Sequence, residues 1–189
     1  MHDFWFLTGK CCYFTALKCD KWVTGCYKCP RPQVKYRPML FERSKKMWTD
    51  KKNALLKIKK LAFVGVSDWV TNEAKKSPFT NGKIVRRIYN WVDLETFLPH
   101  DASYLRNNLG ISDKFVVLGV SSFWSIDDRK GLNLYIKLAE SLPDIYSIIL
   151  IGKINEDVLL PSNLIHVDSI KDKSLLADYY SMADCYLNL

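Results

Sequence analysis

The spacing of apolar residues in the second half of the chain predicts alternating strands and helices. Residues 115–120 form a nearly continuous apolar run, the signature of a strand covered on both faces, as in a parallel sheet between helices. Leu132, Tyr135, Ile136, Ala139 and Leu142 then fall on one face of a helix. Strands follow at 146–151 and 164–167, a helix at 172–182 and a last strand at 185–189. This order predicts a parallel, doubly wound sheet, and right-handed crossovers would put helices on both of its faces.

The first half is less regular. Residues 1–36 are dense in cysteine and aromatic side chains without a clean period, and read as a short strand ending near Leu7 followed by irregular chain through Pro30 and Pro32. Leu40, Ser44, Met47 or Trp48, Lys51, Leu55 and Ile58 recur near helical spacing and predict a basic amphipathic helix over 39–59. A strand at 61–66 leads to Ser67, placed to cap a helix over 68–76, and the next strand covers 84–89. The stretch 90–112 is polar, with one helical piece at 104–109, and reads as a linker. The expected fold class is α/β, with portions of two Rossmann-like domains: 1–107, containing the Cys-rich segment 11–29, and 108–189. Neither half supplies a whole sheet, so the reading expects a fragment of a longer protein, lacking both ends.

Charge sharpens that division. The net +8 separates into 20 basic and 6 acidic residues in 1–90, against 8 and 14 in 91–189, a +14 half followed by a −6 half. A basic half suits an anionic neighbour, nucleic acid or anionic lipid, or is simply a solvated surface. No apolar run approaches the roughly 20 residues that span a bilayer, and the start is too short and acidic for a signal peptide. A cytoplasmic location is the default expectation.

Two segments carry candidate chemistry. Residues 121–131 lie beyond the carboxyl end of the first strand of the second sheet, where open α/β folds bind ligands. Arg129, Lys130 and Gly131 stand there at the start of a helix, whose N–H groups and dipole favour an anion. Two cations at that point suit a diphosphate, although the neighbouring Asp127 and Asp128 also fit a solvated, self-balanced loop. In the first half, Cys11, Cys19, Cys26 and Cys29 fall within 19 positions, and Cys26-x-x-Cys29 has the spacing of a metal knuckle. A structural Zn²⁺ clip is one reading, with Cys12 able to replace Cys11; thiols without metal are the other. A zinc-stabilised nucleic-acid-binding module is the competing function, but the basic residues follow neither an aromatic strand platform nor a recognition helix, and no nucleic-acid partner is expected.

His2-Asp3-Phe4-Trp5-x-x-Thr8-Gly9-x-Cys11 and Cys19-Asp20-Lys21-Trp22-x-Thr24-Gly25-Cys26-x-x-Cys29-Pro30 together resemble a block of family 4 glycosyltransferases of the colanic-acid and capsular-polysaccharide type. Val66-Ser67-Asp68-Trp69, the turn from Ile88 to Asp93, the Arg129-Lys130-Gly131 loop and the run from Tyr179 to Asp184 keep the family order. The resemblance implies a GT-B architecture and a retaining transfer of sugar from a nucleotide-sugar donor to a glycan or lipid-linked acceptor in bacterial surface polysaccharide synthesis. It implies no cofactor for catalysis, donor contacts from His2 and Lys130 with Arg129 as a substitute cation, and peripheral contact of the basic half with anionic membrane. Ser121 stands where the family has Arg, and the family's carboxylate pair, spaced E-x7-E, would fall beyond Leu189. On this reading the 189 residues alone have little transferase activity.

Overall fold

The computed structural model describes residues 1–30, 42–125, 131–155 and 157–188. The chain divides into two compact units, Met1–Trp91 and Val92–Leu189. Residues 92–107, grouped above with the first domain, therefore pack with the second. The polar linker hides the apolar anchors Ala102 and Leu105, which are buried in the second unit's core together with Ile111.

In the first unit, strands β1 (Ala62–Gly65) and β2 (Ile84–Arg87) pair in parallel, with helix α3 (Asp68–Lys75) between them in sequence. The Ser67 hydroxyl caps α3 by accepting from the Val70 amide at 3.1 Å, as its sequence position predicted. Before them come a short helix, α1 (Lys21–Thr24), and a longer one, α2 (Ser44–Lys57).

The unit's core is aromatic. Phe4, Phe14, Trp22, Trp48, Phe63 and Phe79 are all buried in one cluster, and the Trp48 indole donates to the Trp22 carbonyl at 2.8 Å. The expected strand ending near Leu7 is absent. The Leu7 and Thr8 amides both donate to the Phe4 carbonyl at 3.0 Å, so Phe4 and Leu7 reach the core by a turn instead of by alternation. In α2, Lys51 does not extend into solvent with its neighbours: its ammonium donates to the carbonyls of Trp5, Thr8 and Gly9 at 2.7, 3.1 and 3.2 Å.

The second unit holds a four-stranded parallel sheet in the order β5-β4-β3-β6. Its strands are β3 (Phe115–Phe123), β4 (Tyr146–Lys153), β5 (Leu164–Val167) and β6 (Cys185–Tyr186). Helices α4 (Ser103–Leu109), α5 (Leu132–Ser141) and α6 (Lys173–Met182) complete it. Side chains along the two long strands alternate between separate cores. Val116, Leu118, Ile149 and Ile151 pack with residues of α4 and α6, while Val117, Ile148 and Leu150 pack with residues of α5. The continuous apolar run is thus two alternating sets, one for each covered face.

Asp184 joins the beginnings of β3 and β6. Its carboxylate accepts from the Val116 amide at 2.7 Å and from Arg106 at 2.8 Å, while its own amide donates to the Val116 carbonyl at 3.0 Å. Nearby, the imidazole of His100 spans the Leu98 carbonyl at 2.8 Å and Asp178 of α6 at 2.6 Å, with Tyr104 donating to the other oxygen of Asp178. The Leu98 and Asp178 contacts both favour protonated His100 and raise its pKa from 6.5. Hydrogen bonds from Tyr104 and His100 lower that of Asp178 from 3.8.

Two outcomes follow for stability. Asp184→Ala leaves the fully buried Val116 amide without its carboxylate acceptor, which should cost about 1–3 kcal/mol in urea unfolding, and Asp184→Asn should recover part of it. A raised histidine pKa stabilises fully below the unfolded value and is lost as pH rises through the folded one; a lowered carboxylate pKa is lost as pH falls. The difference in melting temperature between the native chain and His100→Gln should therefore be largest between about pH 4 and 6.5 and shrink at higher pH.

Candidate functional site

In an open parallel sheet, ligands bind beyond the carboxyl ends of the strands, where the strand order reverses. Here the chain leaves β3 for β4 on one side, and β6 returns to the other side of β3. That rule places the expected ligand edge between the carboxyl ends of β3 and β6.

Glycines and two large aromatics pack the chain around this edge. A Cβ on Gly119 would stand 2.7 Å from the Leu150 side chain and 2.8 Å from the Tyr135 ring, so the bare backbone lets α5 approach β3 closely. Tyr135 is buried, and its hydroxyl donates to the Leu187 carbonyl just after β6, tying α5 across β3. Burial pushes its pKa up to about 12, so it remains a neutral donor.

At the end of β3 the register with β4 shifts between Val120 and Phe123. Gly152, at φ 127°, permits the approach that this shift requires, since a Cβ there would lie 1.7 Å from the Ser121 carbonyl oxygen. Trp124 is buried next to it and fixes the exit of the chain. Its amide donates to the Lys153 carbonyl at 2.8 Å and its indole to the Ile151 carbonyl at 3.0 Å.

The chain re-enters at Gly131, which holds the N-cap of α5 at φ 70° without a side-chain cap. Its carbonyl accepts from the Leu134 and Tyr135 amides at 2.9 and 3.1 Å, so the first turn of α5 begins there. A helix start at this edge presents N–H groups and the positive end of the dipole. Arg129 and Lys130 lie outside the described residues; of the expected donor-side residues in this unit, Gly131 is the one placed.

His2 belongs to the first unit and is exposed. It lies outside any strand. The amine of Met1 donates to the Val64 carbonyl, which brings the start of the chain alongside β1. Beyond the carboxyl end of β2, Asp68 accepts from Arg87 at 2.7 Å and from the Tyr89 hydroxyl at 2.9 Å, with the Arg87 guanidinium 4.3 Å over the Tyr89 ring. These hydrogen bonds, Tyr89's first, hold the Asp68 carboxyl below its usual range.

Cys11, Cys19, Cys26 and Cys29 all line one small cavity in the first unit, and Cys12 does not. Burial first pushes up the pKa of Cys26; the Gly9 N–H bond opposes it, and repulsion from the thiolate forms of Cys19, Cys29 and Cys11 adds to it. A larger, open groove of about 670 Å³ lies in the second unit between residues 97–99 and α6. Its lining is mainly apolar, includes Tyr180 and Ser181, and carries no charged residue, which makes it a poor receptor for a diphosphate.

Sequence reasoning missed the Tyr135 tie to Leu187, the close approach at Gly152, Asp184 as the joint between strands, and the Asp68–Arg87–Tyr89 group. Gly119 inside an apolar strand was an available signal for close backbone approach. The other contacts depend on side chains that are far apart in sequence.

No protein-family model and no curated protein matches the sequence. Solved structures do match. Anabaena HepE in complex with UDP and glucose superposes with a TM-score of 0.54 at 19% identity, over 78% of this chain and 42% of that one. HepE with UDP gives 0.54 at 20% identity, over 80% and 43%. Sucrose-phosphate synthase from Thermosynechococcus elongatus gives 0.52 at 19% identity, over 77% and 39%. The chain thus spans about two fifths of the length of these structures. Its parallel α/β architecture is the GT-B-like fold of these glycosyltransferases.

Proposed function

We propose that the chain is the hinge-side portion of a retaining glycosyltransferase. It would move a sugar from a nucleotide-sugar donor to a glycan or lipid-linked acceptor in bacterial surface polysaccharide synthesis. The observation that carries this reading is the Gly131-started α5 at the carboxyl end of β3, beside the reversal of strand order. The fold supports it, since HepE, which shares that fold, is described in complex with UDP-glucose.

The chemistry assigned to this edge is electrostatic. The donor diphosphate sits against the first turn of α5, and Lys130, with Arg129 beside it, neutralises charge as the nucleoside diphosphate departs. Interactions that strengthen as charge develops on the leaving group lower the barrier, whereas uniform binding does not. The basic charge of the first unit suits an anionic, lipid-linked acceptor.

The basic surface also suits a peripheral contact with anionic membrane, where each Lys or Arg near the surface is worth about 1 kcal/mol. Among the described residues no helix is long and apolar enough to cross a membrane. Contact would therefore run through α2, whose Leu56 and the following Ile58 are exposed among lysines. Lys51 is committed to three carbonyls and would not take part.

Equilibrium binding of UDP and GDP to the 189-residue chain tests the donor assignment. Lys130→Ala should weaken nucleoside-diphosphate binding about tenfold or more, Arg129→Ala by less, and uridine should be indifferent to both. Equal diphosphate affinity in native and Lys130→Ala chains would remove the role of Lys130. For the membrane contact, flotation with vesicles should increase with phosphatidylglycerol content and fall in Lys45→Glu/Lys52→Glu; flotation independent of anionic lipid contradicts it.

A further inference from the structure

The first unit contains a segment whose backbone is shaped around its cysteines. Among the described residues, the two non-glycine positions with left-handed backbone are Lys18 and Lys28, both at φ 45°. Each immediately precedes a cysteine, Cys19 and Cys29. Left-handed geometry is unfavourable for an ordinary side chain and persists where the surrounding structure imposes it. Both cysteines, with Cys11 and Cys26, line one cavity of about 20 Å³. That volume holds one water-sized guest, about the size of a single ion.

The backbone around these cysteines is held in place as well. The Gly9 amide donates to Cys26 Sγ at 3.1 Å, a bond that strengthens when the sulfur is a metal-bound thiolate. Gly9 must be glycine for this, because a Cβ would stand 2.5 Å from the Ser44 carbonyl oxygen and 3.0 Å from Cys26 Cβ. Ser44 in turn donates to the Cys26 carbonyl at 3.0 Å, and the Cys11 amide donates to the Thr8 hydroxyl at 3.0 Å.

Charge is also matched. A divalent ion with four thiolates carries a net −2, and Lys10 and Lys21 line the same cavity, with the Lys51 ammonium on the Thr8 and Gly9 carbonyls beside it.

We propose that Cys11, Cys19, Cys26 and Cys29 form a structural tetrathiolate site for one Zn²⁺, which clips the irregular start of the chain to the aromatic core. Among the described residues no three His, Cys, Asp or Glu side chains stand together at ion-holding distance. Protonated thiols have no force drawing them to the tetrahedral spacing, which zinc imposes at about 2.3 Å per sulfur. Binding is then rotation of four short side chains on a prepared backbone, with release of the thiol protons. Four sulfurs close the coordination sphere, so the site has a structural role and no open position for substrate. The cavity lies in the first unit, and the proposal stands whether or not the second unit binds a sugar nucleotide.

Metal analysis of the chain, purified without a polyhistidine tag, tests it. About one zinc per chain is expected. Cys11→Ser, Cys19→Ser, Cys26→Ser and Cys29→Ser should each lose most of it, while Cys12→Ser and Cys185→Ser retain it. Because a ligand variant can fail to fold, the native chain refolded with Co²⁺ provides the second readout: an intense tetrahedral ligand-field spectrum with sulfur-to-metal charge transfer, displaced by one equivalent of Zn²⁺. Chelation should lower the melting temperature of the native chain. The proposal is overturned by zinc below a tenth of an equivalent in chain purified with zinc present, by an octahedral cobalt spectrum, by mass spectrometry showing these cysteines joined as disulfides, or by equal metal loss in Cys12→Ser.

Discussion

Burial of β3 on both faces is the constraint on which the second unit depends. A strand with apolar side chains on both sides cannot lie at a solvated face, so helices must cover it twice. α5 covers one side and α4 with α6 the other. That arrangement forces the chain to pass from one face of the sheet to the other, and the crossing is where the strand order reverses. The reversal at the carboxyl end of β3 is thus a consequence of core packing, and Gly119 and Gly152 let the neighbouring chain come close there.

How much of this was legible in the sequence depended on whether the signal was local. The run 115–120, the helical face from Leu132 to Leu142 and the Ser67 cap are short-range patterns, and each corresponds to an observed element. The first seven residues misled because aromatic density resembles strand propensity, whereas Phe4 and Leu7 enter the core from a turn. The boundary between units was displaced because residues 92–107 are polar in composition, and two buried side chains, Ala102 and Leu105, decide where they pack. Asp184 closes a link to Val116 over 68 positions, a relation no window of sequence contains.

The Cys-rich segment shows a different kind of legibility. Spacing alone left open whether Cys11 or Cys12 completed a set of four; the fold directs Cys11 to the shared cavity. The aromatic core beneath it is well packed but small, and the segment above has little regular structure. A small, irregular unit commonly relies on a clip of this kind, since its hydrophobic burial is modest. Lys10 and Lys21 line that cavity, and Lys51 is held on the Thr8 and Gly9 carbonyls.

The most direct measurement of the central claim is a crystal structure of the chain soaked with UDP. The diphosphate is expected against the first turn of α5, with Lys130 in contact. A diphosphate bound anywhere other than the carboxyl edge of β3, or Lys130 directed away from it, would contradict the account.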